Sequence, residues 1–163
     1  MSIRFRLVAA LGGALTIAAC ASGSASPAAT TGGAATAAPP AAATTVDITL
    51  QEWAVVAAPG SVGAGPVTFT VANTGPEDDH EFVILKSDLD PGALPVDDDG
   101  AVTEEGEGIE VVDEIEDIPV GETMELTATL AAGSYVLLCN IYSAEEKEAH
   151  YKLGMRTGFT VTE

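Results

Sequence analysis

Cationic side chains, histidine, cysteine and long apolar runs are all scarce in this chain of 163 residues. Each scarcity removes a class of function. Six lysines and arginines stand against 25 aspartates and glutamates, a formal net charge of −19. So acidic a surface repels phosphate backbones and anionic headgroups, which sets nucleic acid aside as a partner and leaves a cationic protein face or salty surroundings. The apolar run from Leu7 to Ala19 has 13 residues, short of the ~20 that a membrane-spanning helix needs. No alternation of strand and helix patterns is present either, which removes an α/β architecture.

The first twenty residues, "MSIRFRLVAALGGALTIAAC", place Arg4 and Arg6 ahead of that apolar run, the layout of a secretory signal peptide. Its ending, "IAAC", resembles the lipobox of bacterial lipoproteins, which implies lipidation of Cys20 and attachment to a membrane through it. Residues 21–45 are all Ala, Ser, Thr, Gly or Pro. With no large apolar side chain to offset its ordering entropy, this segment reads as a tether, with a reach of ~25–30 Å. The folded domain is then residues 46–163, one domain's worth of chain. Cleavage removes Arg4 and Arg6, leaving four basic residues against 25 acidic ones, a net charge of −21. The expected location is the outer face of the cell membrane or the periplasmic space, with the domain acting as a monomer.

Period-two alternation dominates the domain. "VDITLQEW" sets Val46, Ile48 and Leu50 on one face, "PVTFTVANTG" does the same with Val67, Phe69 and Val71, and "ETMELTATL" with Met124, Leu126, Ala128 and Leu130. "HEFVILK", "SYVLLC" and "TGFTVTE" are further short segments rich in β-formers. Short strands punctuated by Gly, Pro and Asn predict an all-β chain, an antiparallel β-sandwich. Between Ser87 and Asp117 the chain turns acidic, and it reads as a solvated loop with a short helix near Asp88–Leu94. A calcium loop centred on Gly100 fails, because Pro95 and Gly106 fall where the first and last ligands belong.

The remaining signal is in "LLCNIYSAEEKEAHYKLGM". Cys139, His150 and Met155 fall within 17 positions, and the only other histidine, His80, opens a predicted strand 59 residues before the cysteine. With Cys20 acylated, Cys139 has no disulfide partner in an oxidising compartment. One thiolate, two imidazoles and a thioether form a soft, mixed donor set. Trigonal His₂Cys ligation with a long axial Met is the arrangement of copper electron-transfer sites; zinc accepts His and Cys but rarely a thioether.

The segments "NTG…HEFVILK", "GSYVLLCN" and "HYKLGMRTGFTV" resemble those of the cupredoxins, the blue type 1 copper proteins of the plastocyanin and azurin superfamily, along nearly the whole domain. The resemblance implies a Greek-key sandwich, one copper per chain, and His80, Cys139, His150 and Met155 as its ligands. It also implies a redox partner protein, with His150 as the way out for the electron. One feature departs from the family. Cupredoxins usually separate the cysteine and second histidine by two to four residues, and here ten intervene, Asn140 to Ala149. Within them, Ser143 and Glu146 form a capping-box signature that predicts a short helical insert in the ligand loop. Glu145, Glu146 and Glu148 would then lie near the metal, with solvent their expected direction.

Three functions fit these residues. The first is a one-electron carrier that is not an enzyme: two histidines leave none for a second copper centre or a Ser–His–Asp triad, and one cysteine cannot build a binuclear purple centre. The second is a copper-binding or delivery module, against which stands the lack of methionine-rich tracts. The third is a metal-free β-sandwich interaction domain.

Overall fold

The computed structural model describes residues 42–163. The signal peptide, Cys20 and most of the tether lie outside the described residues.

Alternation builds the first sheet. β1 (Thr44–Gln51) buries Val46, Ile48 and Leu50, and β4 (Gly65–Asn73) buries Val67, Phe69 and Val71. With β2 (Ala54–Ala58) and β7 (Thr123–Leu130) they form a sheet in the order β2–β1–β4–β7. The second sheet takes β3 (Ser61–Gly63), β11 (Arg156–Thr162), β8 (Gly133–Leu138), β5 (His80–Lys86) and β6 (Glu110–Ile118), in that order. Phe69 of the first sheet meets Phe82 and Phe159 of the second, with ring centroids 5.4 and 5.9 Å apart. The Greek-key sandwich is as expected, but its sheets are mixed. β1 pairs with β4, and β3 with β11, in parallel. Alternation reports which face a residue takes and is blind to strand direction.

The acidic stretch departs from its reading as loop. Its last part is the edge strand β6, which buries only Ile115 and Ile118. A bulge hid it: the three residues His80 to Phe82 of β5 lie opposite the four residues Ile118 to Ile115 of β6. That extra residue breaks period two, and the carboxylates of β6 line an edge that charge protects from further pairing. The helix expected near Asp88–Leu94 is a single turn, with Ala93 N–H donating to Asp90 O at 2.8 Å. Leu94 instead gives its amide to Tyr151 Oη at 3.0 Å, so no helical ladder forms.

The rest of the excursion covers the outer face of the second sheet. β5 and β8 are buried on both faces. Val83, Leu85, Val136 and Leu138 form a second core with Leu94, Val102 and Tyr151, flanked by Val96 and Ile109. Tyr151 Oη also donates to Pro91 O at 2.9 Å, tying the excursion to the segment that carries His150.

Asn73, 1 % exposed, ends β4. Its Nδ2 donates to Asp78 O and Ile118 O and its Oδ1 accepts from Gly75 N–H, all at 2.9 Å. These bonds shape the loop that delivers His80. Asn73→Ala would leave buried backbone groups unpaired, and urea unfolding should show a loss of about 2 kcal/mol. A loss within error would mean that the loop is held by other contacts.

Candidate metal centre

Three adjacent strands of the second sheet end at one place. His80 opens β5, Cys139 follows the last residue of β8, and Met155 immediately precedes β11. Cys139 N–H donates to Met155 O at 3.1 Å, extending the β8–β11 ladder by one bond. His150 begins α1 (His150–Leu153), a single helical turn closed by Gly154. Gly154 has φ +130°, and a Cβ there would lie 2.8 Å from Trp53 O; only glycine suits the position.

The imidazoles and the thiol converge. His80 Nδ1 is 3.3 Å from His150 Nδ1, and Cys139 Sγ is 3.4 Å from His150 Nδ1 and 4.0 Å from His80 Nδ1. All three residues are at most 2 % exposed. A point equidistant from the three atoms lies about 2.1 Å from each, within the roughly 2.0–2.3 Å span of metal–imidazole and metal–thiolate bonds. Among the described residues, His80, Cys139 and His150 form the group placed closely enough to hold a metal ion. Met155 is fully buried in the same core cluster as Cys139.

Two similarities to solved structures bear on this arrangement. Over 75 % of this chain and 99 % of the other, the chain superposes on auracyanin from the photosynthetic bacterium Roseiflexus castenholzii, with TM-score 0.53 and 23 % identity. Auracyanin A, described as a "blue" copper protein of the green thermophilic photosynthetic bacterium Chloroflexus aurantiacus, matches over 74 % of this chain and 100 % of its own, with TM-score 0.50 and 22 % identity. The fold is that of the cupredoxins. No family model and no curated protein matches the chain. In this cupredoxin fold, His80, Cys139 and His150 fit a single copper ion.

The ten-residue insert is a hairpin, which corrects the helix expected at Ser143. β9 (Tyr142–Ser143) pairs with β10 (Glu148–Ala149), and Lys147 reverses the chain with φ +59°. The Ser143–Glu146 contact exists, with Glu146 N–H donating to Ser143 Oγ at 3.4 Å, but it closes a turn. The short helix of the ligand loop is α1, seven residues further on. His150 N–H donates to Ile141 O at 2.9 Å and closes the base of the hairpin. Counted through that bond, only Asn140 and Ile141 separate Cys139 from His150, the short spacing that the family resemblance implies. Glu145 and Glu146 are exposed and Glu148 is half-buried, and none of them joins the donor group.

Four residues around the donors carried no signal in the sequence reading. Glu81 N–H donates to Cys139 Sγ at 3.4 Å, and its carboxylate accepts from Asn140 N–H at 2.6 Å, holding the turn after the cysteine. Asn140 Nδ2 in turn donates to Val102 O at 3.0 Å. Trp53 lies edge-on to His150 with centroids 4.9 Å apart, and Glu52 approaches His80. Glu52 and Trp53 form the turn between β1 and β2, where neither alternation nor a motif speaks. The only tryptophan of the chain, placed just after a strand, was the one available hint.

Burial sets the protonation of the donors. It pushes the Cys139 thiol up to about 12, against the amide of Glu81, which pulls it down. It holds both histidines below the usual imidazole range, and for His80 the neighbouring His150 adds to the effect. At neutral pH the metal-free centre therefore carries two neutral imidazoles and one thiol. Ligation needs the thiolate, so uptake of one Zn(II) or Cu(II) should release one proton. Calorimetry at pH 7 in buffers of different ionisation enthalpy measures this number. Two or more protons would mean that a histidine starts out charged.

Proposed function

We propose that this chain is an extracytoplasmic, membrane-tethered electron carrier built on one copper ion, and not an enzyme. The buried convergence of His80 Nδ1, His150 Nδ1 and Cys139 Sγ carries the reading. Copper bound there would supply a one-electron Cu(II)/Cu(I) couple. Cys139 gives up its proton and accepts the amide of Glu81. His80 and His150 would hold the copper as neutral imidazoles. Met155 would join them in holding the copper, as the weaker donor, since thioether contacts to copper are long. Three neighbouring strands and a closed hairpin hold these residues, so their positions would change little between the two valences, and their burial keeps water away. Both histidines are used as donors, and none remains for acid–base chemistry or a second metal centre. His150 is 2 % exposed, so electrons pass between it and a partner by way of the half-buried Trp53 ring at its edge.

The net charge of −21 left after signal cleavage suits a redox partner with a cationic docking face. Lipid on Cys20 and the 21–45 tether would hold the domain, as a monomer, at the outer face of the membrane.

Addition of Cu(II) to the wild-type chain should give an intense visible band and a reversible one-electron couple by voltammetry. Cys139→Ser should fold but lose the band. A band that survives this substitution would refute the thiolate assignment, and an irreversible couple would turn the reading from carrier to delivery module. The tether has its own check: mass spectrometry of the membrane fraction should find Cys20 as an acylated N-terminus. An unmodified, soluble product would remove the anchor.

A further inference from the structure

A carboxylate faces the first histidine from a part of the chain that supplies no donor. Glu52 Oε1 is 3.8 Å from His80 Nε2; the imidazole is fully buried and the glutamate side chain is 12 % exposed. Oε1 also accepts the amide N–H groups of Asp78 at 2.9 Å and Glu77 at 3.3 Å, which fix the head group. The two remaining buried atoms, Glu52 Oε2 and His80 Nε2, have no hydrogen-bond partner. Buried polar atoms are seldom left unpaired, and here an orphaned acceptor and an orphaned ring nitrogen belong to side chains that face each other.

The other side of the imidazole is accounted for, since His80 Nδ1 points toward Cys139 Sγ and His150 Nδ1. A neutral imidazole that gives its Nδ1 lone pair to a metal keeps its proton on Nε2, and that proton faces Glu52. The surroundings leave room for the carboxylate. A Cβ on Gly75 would fall 2.5 Å from both of its oxygens, so glycine is what admits it. The next residue, Trp53, rests on His150, and its carbonyl lies against Gly154. The turn is thereby anchored over both imidazoles.

We propose that Glu52 is a positioning residue of the metal centre. It fixes His80 in the Nε2–H tautomer and sets a negative charge one imidazole away from the ion, which favours Cu(II) over Cu(I). The inference rests on the copper reading of the site. Outer carboxylates of this kind orient a ligating histidine and raise its basicity, and their loss typically weakens metal binding about 10–100-fold.

Two substitutions in the full chain test it. Glu52→Gln keeps the shape and an amide-accepting oxygen while removing the charge. Gly75→Ala pushes the carboxylate aside and keeps its charge. Zn(II), a redox-silent probe, should bind each variant about tenfold more weakly than wild type. The copper potential should rise by about 59 mV, the equivalent of a tenfold loss of Cu(II) affinity relative to Cu(I). Circular dichroism of the metal-free variants should match wild type, and if Glu52→Gln does not fold, Gly75→Ala carries the test. A lower unfolding midpoint with unchanged Zn(II) affinity and potential would reduce Glu52 to a loop anchor and overturn the proposal. A wild-type chain that takes up neither ion would overturn it together with the copper reading.

Discussion

Holding two imidazoles and a thiol within 4.0 Å of one another and out of water is the constraint on which the rest of the domain depends. Each group loses hydration on burial, and the partners in reach of the three donor atoms are one another and the amide of Glu81. The sandwich must therefore supply rigidity. It does so with three strands side by side in one sheet, an aromatic cluster of Phe69, Phe82 and Phe159 across the sheet interface, and backbone bonds at each donor. Asn73 shapes the approach to His80, the Glu81 amide meets Cys139 Sγ, and the Ile141 carbonyl returns His150.

The same need explains the excursion between β5 and β6. A strand that ends in a metal ligand gains rigidity when both of its faces are packed. β5 and β8 are covered on the outer side by Leu94 and Val102, and Tyr151 links that cover to α1 through two hydrogen bonds. A segment rich in carboxylates thus contributes a few apolar anchors to the core and leaves its charge in solvent.

Much of this was legible in the sequence. Val46, Ile48 and Leu50, or Val67, Phe69 and Val71, declare their strands because one face is buried and the other is wet. The donors His80, Cys139 and His150 stood out because such residues are so scarce. β6 was not legible, since its bulge and exposed edge erase period two. The cover over the second sheet was legible in principle. "HEFVILK" and "SYVLLC" are nearly continuous apolar runs, and a strand apolar on both faces requires something on each. Glu52 was not legible, because it meets His80 through the register of two sheets. The helix expected at Ser143 failed because a capping box fits a turn as well as a helix start, and pairing of Tyr142–Ser143 with Glu148–Ala149 chose the turn.

The hairpin in the ligand loop separates two properties that a short loop joins. The bond between His150 N–H and Ile141 O fixes where the histidine returns, and residues beyond that bond do not set the donor geometry. The tip at Ala144–Lys147 is exposed and belongs to the class of sites where chains accept insertion and new ends. A recognition peptide could be spliced there, or the molecule reopened there as a permuted chain, while the metal centre kept its shape. The ligand loop thus doubles as an attachment point.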